Sequence, residues 1–230
     1  MANRSVTITK SAQPRSVPAQ ALLLSPYWTS GVHTGIKRLL DLTLSALLLS
    51  IATPVMTVIA IAIKLDSRGP ILYRWLVVGR DGRPFRSWKF RSMCVDADEK
   101  KRQLMAHNEM RGPVFKLADD PRVTRVGRFL RRYSLDELPQ LFSVFIGDMA
   151  LVGPRPPLQT EYSDFSAAQK RKLAVKPGIT CLWQVSGRND ICDFDDWVRL
   201  DLEYIRSWSL WLDCRILWST LLAVLRGTGR

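Results

Sequence analysis

Asp136 and Glu137 stand side by side within Ser134-Leu135-Asp136-Glu137-Leu138-Pro139-Gln140. Adjacent carboxylates among many arginines suit metal-assisted phosphoryl transfer, in which one carboxylate attacks phosphorus or both position a divalent cation. The same pair also fits a plain structural role. Ser134 and Glu137 have capping-box spacing, which predicts a helix start, and acids in a first turn stabilise the helix dipole. An Asp-Glu pair by itself does not choose between the two.

Arginines on either side extend the phosphate argument. If the chain is helical from about Val123, then Arg125, Arg128 and Arg132 share one face at i, i+3 and i+7. Guanidinium groups arrayed in this way can grip phosphates in bidentate fashion. A solvated basic face, or one resting on anionic lipid headgroups, is the simpler account of these three residues taken alone. In Gly153-Pro154-Arg155-Pro156-Pro157 the prolines fix φ on either side of Arg155 and present it with little freedom, or else the segment is a structural turn.

Short elements have to position these groups. Ile71-Leu72-Tyr73 and Leu76-Val77-Val78 are apolar runs, and Gly79-Arg80-Asp81-Gly82 is a turn into the extended basic segment Pro84–Phe90. Residues 96–110 read as a charged helix that Gly112-Pro113 ends. Lys176-Pro177-Gly178-Ile179-Thr180 reads as a turn leading into a strand-like Leu182-Trp183-Gln184-Val185. From Asp195 onward the pattern is helical. Trp208, Trp211 and Trp218 interleave with Arg206, Asp213 and Arg215, which suits a helix in the membrane interface and also a core helix.

Upstream, Leu42 to Ile63 is a run without one charged side chain. As a straight helix it would reach about 33 Å, enough for a bilayer core. Thr53-Pro54 falls in its middle, so a kink is expected there. Lys37 and Arg38 precede the run, and Lys64, Arg68 and Arg74 follow it, a pattern that places both flanks in the cytoplasm. A re-entrant hairpin and a single-pass anchor both satisfy these features. Membrane attachment follows from either.

The 230 residues carry a formal net charge of +13, and residues 64–230 hold +9 of it, because residues 1–63 set five basic residues against Asp41. Such a balance favours nucleic acid, anionic headgroups or phosphorylated substrates. Four scattered cysteines form no C-x-x-C pair, and two histidines make a zinc site of ordinary spacing improbable. The thiols suit a reducing compartment. Residues 1–35 lack sustained periodicity and read as a mostly disordered tail, and a secretory signal peptide is a poor match.

In order, the blocks Lys89-Phe90-Arg91-Ser92-Met93, Asp119-Asp120-Pro121-Arg122-Val123-Thr124, Ser134–Gln140, Gly147-Asp148-Met149, Gly153-Pro154-Arg155-Pro156 and Lys176–Thr180 follow the proline-centred apolar segment. This series resembles the bacterial sugar transferase family, the monotopic polyprenyl-phosphate phosphoglycosyl transferases, across residues 36–227. The resemblance implies an α/β fold: a small mixed catalytic domain on the membrane surface, with an N-terminal kinked, re-entrant membrane helix and amphipathic interfacial helices. The expected division is a tail over 1–35, a membrane helix over 36–64 and a catalytic domain over 65–230.

The implied activity is transfer of a hexose-1-phosphate from a UDP-sugar to undecaprenyl phosphate with release of UMP, using Mg²⁺ and an aspartyl phosphosugar intermediate. It would initiate exopolysaccharide or O-antigen assembly at the cytoplasmic face of the bacterial inner membrane. On this chain Asp136 would be the nucleophile, and Glu137 a magnesium ligand or base, with both carboxylates at the metal. Arg155 would hold the nucleotide, and Lys89, Arg91 and Arg128 would contact phosphates. Gly112-Pro113-Val114-Phe115-Lys116 resembles members using UDP-glucose or UDP-galactose. The chain departs from the family pattern at Val77, where an arginine is usual, and at Cys181, where a glycine is usual.

Two other functional classes make different demands on the sequence. A membrane-tethered nucleic-acid binder would need a recognition helix or an aromatic stacking platform, and neither is evident in the sequence, so no nucleic-acid partner is expected. A catalytically degenerate scaffold of a polysaccharide-assembly complex would keep the membrane segment and tolerate Asp136→Ala.

Overall fold

A computed structural model describes residues 24–187 and 191–229. Helix α1 (Pro26–Thr29) leads into α2 (Gly31–Asp66). A hairpin of β1 (Leu72–Val78) and β2 (Pro84–Phe90) follows, then α3 (Ala97–Leu104), α4 (Arg125–Arg132), α5 (Gln140–Ile146) and β3 (Ala150–Val152). The chain continues through α6 (Gln159–Ser163), α7 (Ala167–Lys170), β4 (Gly178–Thr180), α8 (Leu182–Val185), α9 (Phe194–Ser207) and α10 (Leu210–Arg226). The expected mixed α/β class is what is found.

The two apolar runs after residue 70 join as one strand. β1 and β2 pair antiparallel from Leu72↔Phe90 to Val78↔Pro84. β3 and β4 pair parallel at Ala150↔Gly178 and Val152↔Thr180. Gly178 is required at this crossing, since a Cβ there would lie 2.1 Å from the Gly153 nitrogen. The main core gathers α9 residues Phe194, Trp197, Val198, Leu202 and Ile205 against Leu141, Val144, Met149, Leu151 and Val152. Burial of these side chains, at roughly 1.5–3 kcal/mol each, holds the small sheets together.

Helix α4 forms because Thr124 caps it, its hydroxyl accepting from the Gly127 amide at 3.0 Å. It lies hard against the segment that links β2 to α3. A Cβ on Gly127 would sit 2.0 Å from the Ser92 carbonyl oxygen. Gly127→Ala is therefore expected to cost about 1–3 kcal/mol through overpacking. A thermal melt in detergent should show a lowered midpoint, and an unchanged one would mean that the helix has room to retreat.

Helix α2 begins at Gly31, where the sequence reading placed a tail through residue 35. The extra turn has local causes. Ser30 caps the helix, and α1 is pinned by Trp28, which stacks on Trp208 at 3.9 Å and donates to the Ile205 carbonyl at 3.0 Å. The expected disorder of residues 1–23 lies outside the described residues. The helix runs unbroken through Pro54. The hydroxyls of Ser50, Thr53 and Thr57 donate back to the carbonyls of Ala46, Leu49 and Thr53, which satisfies them without water.

One stripe of α2 faces the domain. Lys37, Asp41, Ser45, Ile59 and Ile63 are buried, and Met56 and Ala60 pack against Phe90 and Leu130. The rest of its surface is apolar and open, including Val32, Leu39, Leu47, Ile51, Val58 and Leu65, each more than half exposed. It is the described helix long and apolar enough to cross a membrane. Phe142 and Ile146 of α5, with Trp211, Trp218 and Leu225 of α10, add further exposed apolar surface. Trp208, grouped with these tryptophans by its spacing, is instead fully buried.

Candidate active site

The segment Ser134–Gln140 does not start a helix at Ser134. Ser134 adopts a left-handed conformation (φ 53°) and its side chain caps nothing, so the expected capping box is absent. Leu135–Glu137 is instead a single 3-10 turn wedged between α4 and α5. This turn buries Asp136 and leaves Glu137 half-buried. Both line a cavity of about 670 Å³.

Four parts of the fold build most of its walls, and Gly227 and Gly229 complete them. Lys89 comes from the end of β2, and its Nζ lies 2.7 Å from Glu137 Oε1 and 4.3 Å from the Trp75 ring centre. Arg128, Arg131 and Arg132 come from α4. Residues 114–123 form a third wall, which Asn108 folds: its Nδ2 donates to the Met110 and Val114 carbonyls at 3.0 Å each. Its Oδ1 accepts from the Lys116 amide at 2.8 Å. Within that wall Arg122 donates to both oxygens of Asp120, at 2.8 and 2.5 Å, and stands 5.0 Å from the Phe115 ring centre. Burial pushes the Asp120 carboxyl up, but the hydrogen bonds and charge of Arg122 outweigh it and hold the group below its ordinary range.

The fourth wall carries Arg155, Trp183, Gln184 and Trp197. The Trp183 and Trp197 rings stack at 4.1 Å and 10°. The Arg155 guanidinium lies 5.5 Å from the Trp197 ring centre and 3.4 Å from Glu161 Oε2. Beneath this floor Lys172 Nζ and Asp201 Oδ2 approach to 2.5 Å, and both side chains are sealed from solvent. Burial pushes the Asp201 carboxyl up, and the charges of Lys172 and Arg155 oppose that rise.

Five of the six residues singled out from sequence therefore meet at one cavity: Lys89, Arg128, Asp136, Glu137 and Arg155. Arg91 does not. Two residues beyond Lys89 in the chain, its guanidinium turns away and bonds the carbonyls of Ser67 and Arg68 and the Ser67 hydroxyl, which ties the end of α2 to β2. Of the expected arginine face, Arg128 and Arg132 line the cavity while Arg125 lies outside its lining. Sequence reasoning missed Arg131, Arg122, Trp183, Gln184 and Trp197 as lining residues. Leu182–Val185 was expected as a strand, but the Gln184 side chain accepts from the Cys181 amide at 3.1 Å and starts helix α8. Val77 and Cys181, the departures from the family pattern, are both buried and lie outside the cavity lining.

Chemically, the cavity brings seven cationic side chains to four carboxylates. That balance fits a polyanionic ligand such as a diphosphate. No cluster of three or more metal-ligating side chains occurs among the described residues. Asp136 and Glu137 nevertheless fit a magnesium ion in type, because Mg²⁺ takes hard oxygens and is commonly held by one or two carboxylates with substrate phosphates and water.

A family model described as bacterial sugar transferase matches residues 32–227. The chain is 51% identical over 197 residues to the galactosyl transferase CpsE of Streptococcus agalactiae, covering 86% of this chain and 44% of that protein. It is 44% identical over 198 residues to the undecaprenyl-phosphate galactose phosphotransferase of Salmonella typhimurium, covering 84% and 41%. It is 41% identical over 212 residues to the UDP-glucose:undecaprenyl-phosphate glucose-1-phosphate transferase of Escherichia coli, covering 89% and 43%. The chain thus spans less than half the length of each of these relatives.

Proposed function

The chain belongs to the bacterial sugar transferase family, and on that footing we propose that it moves a hexose-1-phosphate from a UDP-sugar to undecaprenyl phosphate and releases UMP. The observation that carries this reading is the Asp136–Glu137 pair on the wall of a cavity lined by Lys89, Arg128, Arg131, Arg132 and Arg155. A glucose or galactose donor accords with the names of the relatives.

In the first step an oxygen of the Asp136 carboxylate attacks the β-phosphorus of the donor. The bond from that phosphorus to the bridging oxygen breaks, and UMP leaves with the bridging oxygen and its electron pair. An oxygen of the lipid phosphate then attacks the same phosphorus, and the acyl-phosphate bond breaks. The carboxylate is regenerated, and the product is a lipid diphosphate hexose. Repulsion between a carboxylate and a diphosphate is the main obstacle, and the cationic walls lower it. Arg155, oriented by Glu161 and the Trp197 face, holds the nucleotide end. Lys89 orients Glu137, which takes up or returns the acceptor proton. Magnesium, when bound by Asp136 and Glu137, would neutralise charge on the diphosphate.

Lys89→Met should reduce UMP release by about 10²-fold, since it removes one preorganised cation and frees Glu137 to reorient. Steady-state assays with folded variant protein measure it, and a loss under threefold would place Lys89 outside the reacting geometry.

The cytoplasmic face of the bacterial inner membrane is the proposed location, with α2 entering and leaving on one side. Two observations support the re-entrant form. Pro54 sits mid-helix, and both ends of α2 are bonded to the same domain, through Lys37 and Asp213 at 2.7 Å and through Asp66 and the Val126 amide at 3.2 Å. The test of the function is nucleotide release from UDP-glucose and UDP-galactose by protein in detergent, with Mg²⁺ and undecaprenyl phosphate. Mg²⁺-dependent UMP supports it. Release of UDP, or silence across a wider donor panel, refutes it.

A further inference from the structure

The turn carrying Asp136 and Glu137 hangs between two short helices, and α2 grips the far end of each. At the start of α4, the Asp66 carboxylate accepts from the Val126 amide at 3.2 Å. At the end of α5, Arg38 donates from Nη1 to the Val144 carbonyl and from Nη2 to the Phe145 carbonyl, both at 2.8 Å. Those groups belong to helix ends, which leave backbone groups short of partners inside the helix; the Val144 carbonyl also accepts from the Gly147 amide at 3.1 Å. The charge at each contact opposes the partial charge of the helix end it touches: a carboxylate at the positive N-terminus of α4, a guanidinium at the negative C-terminus of α5.

The grip is anchored at its own ends. Near Arg38, Lys37 pairs with Asp213 at 2.7 Å, and Asp41 accepts from the Leu151 amide at 3.0 Å. Just beyond Asp66, Arg91 bonds Ser67 and Arg68. Gly147, in a left-handed conformation, keeps the α5 terminus open to Arg38, since a Cβ there would lie 3.2 Å from the guanidinium. Both contacts reach across long stretches of sequence, 60 residues for Asp66 and 106 for Arg38.

We propose that Arg38 and Asp66 are positioning residues that fix the turn bearing Asp136 and Glu137, so that the apolar helix sets the geometry of the site as well as attaching it to a membrane. The inference rests on the reading of Asp136 as the reacting carboxylate. Misplacement of a reacting group by about 1 Å can cost about 10²-fold in rate. Partial loosening at one end should therefore show in the chemical step more than in donor binding.

The test uses full-length protein in detergent, with Arg38→Met and Asp66→Ala, and with Arg38→Lys and Asp66→Asn as milder variants should the first pair fail to fold. Hydrogen–deuterium exchange across residues 133–139 is expected to quicken at least about fivefold in the variants, with α9 unchanged. The kcat for UMP release should fall about tenfold with the donor KM changed less than twofold, and Asp66→Asn, which keeps an acceptor oxygen, should recover most of it. Unchanged exchange in the turn of a folded Arg38→Met, Arg38→Lys or Asp66→Ala protein overturns the proposal. So does a kcat loss that appears together with general loosening of α9. Quickened exchange in a protein that releases no UMP would leave the bracket standing and refute the transferase reading instead.

Discussion

Asp136→Asn is expected to abolish UMP release, by at least about 10⁴-fold, while the protein melts as the wild type does. The amide matches the carboxylate in size and shape, and residue 136 is buried in a short turn, so the substitution leaves packing intact. What it removes is the negative charge and the nucleophilic carboxylate oxygen that would form the bond to phosphorus. Glu137→Gln should cost less, about 10²–10³-fold, because that residue acts on protons or on a cation and water can partly replace it. The order of the two losses carries the assignment. If Asp136 merely held a metal, raising Mg²⁺ would restore much of the Asp136→Asn activity, and no phosphosugar adduct would form on the wild-type protein. Intact-mass measurement after mixing with donor alone decides this, with an adduct of one hexose phosphate expected on wild type and none on Asp136→Asn.

The second large effect concerns stability. Lys172 and Asp201 form an ion pair with side-chain exposures of 1% and 0%, and removing Lys172 leaves the Asp201 charge buried without its main partner, opposed only by Arg155. Lys172→Met should therefore cost about 3–5 kcal/mol. For a domain of this size that corresponds to a fall of roughly 10 °C in melting midpoint. The double variant Lys172→Met/Asp201→Leu should recover most of the loss, because the desolvation cost disappears with the second charge. The pH dependence has a definite sign. Burial already raises the Asp201 pKa in the folded state, and loss of Lys172 raises it further. A carboxyl with a raised folded pKa binds more protons folded than unfolded, so stability falls as pH rises from the unfolded value through the folded one. The deficit of Lys172→Met should shrink on acidification, and a deficit that grows in acid would show that the pair is not held as described.

Much of the site was legible because its groups lie in runs whose type and spacing survive without a structure. Asp136-Glu137 and the proline-clamped Arg155 are local signals, and the fold needed only to bring them together. Arg91 illustrates the opposite case. In sequence it is as cationic as Lys89, yet two residues along a strand end it meets the carbonyls of Ser67 and Arg68. No local pattern encodes that choice, since it depends on where α2 ends. Leu182–Val185 reads as a strand by composition, and a side-chain cap from Gln184 makes it helical. Ser134 carries the spacing of a capping box but adopts a left-handed conformation in the link between α4 and α5. Trp183 and Trp197 become neighbours through α8 and α9 packing, which lies beyond any window of sequence. The long apolar helix α2 was plain from its uncharged run, whereas its bonds to the rest of the fold were not.

The most direct test of the central claim follows two atoms of the donor at once. UDP-galactose or UDP-glucose carrying ³H in the hexose and ³²P at the β-phosphate is mixed with purified protein, Mg²⁺ and undecaprenyl phosphate, and the lipid product is extracted. Transfer of a sugar-1-phosphate predicts both labels in the lipid in equal molar amounts, with unlabelled UMP left in water. Tritium in the lipid without ³²P, with labelled UDP left behind, would mean that the sugar moves without its phosphate and would contradict the account.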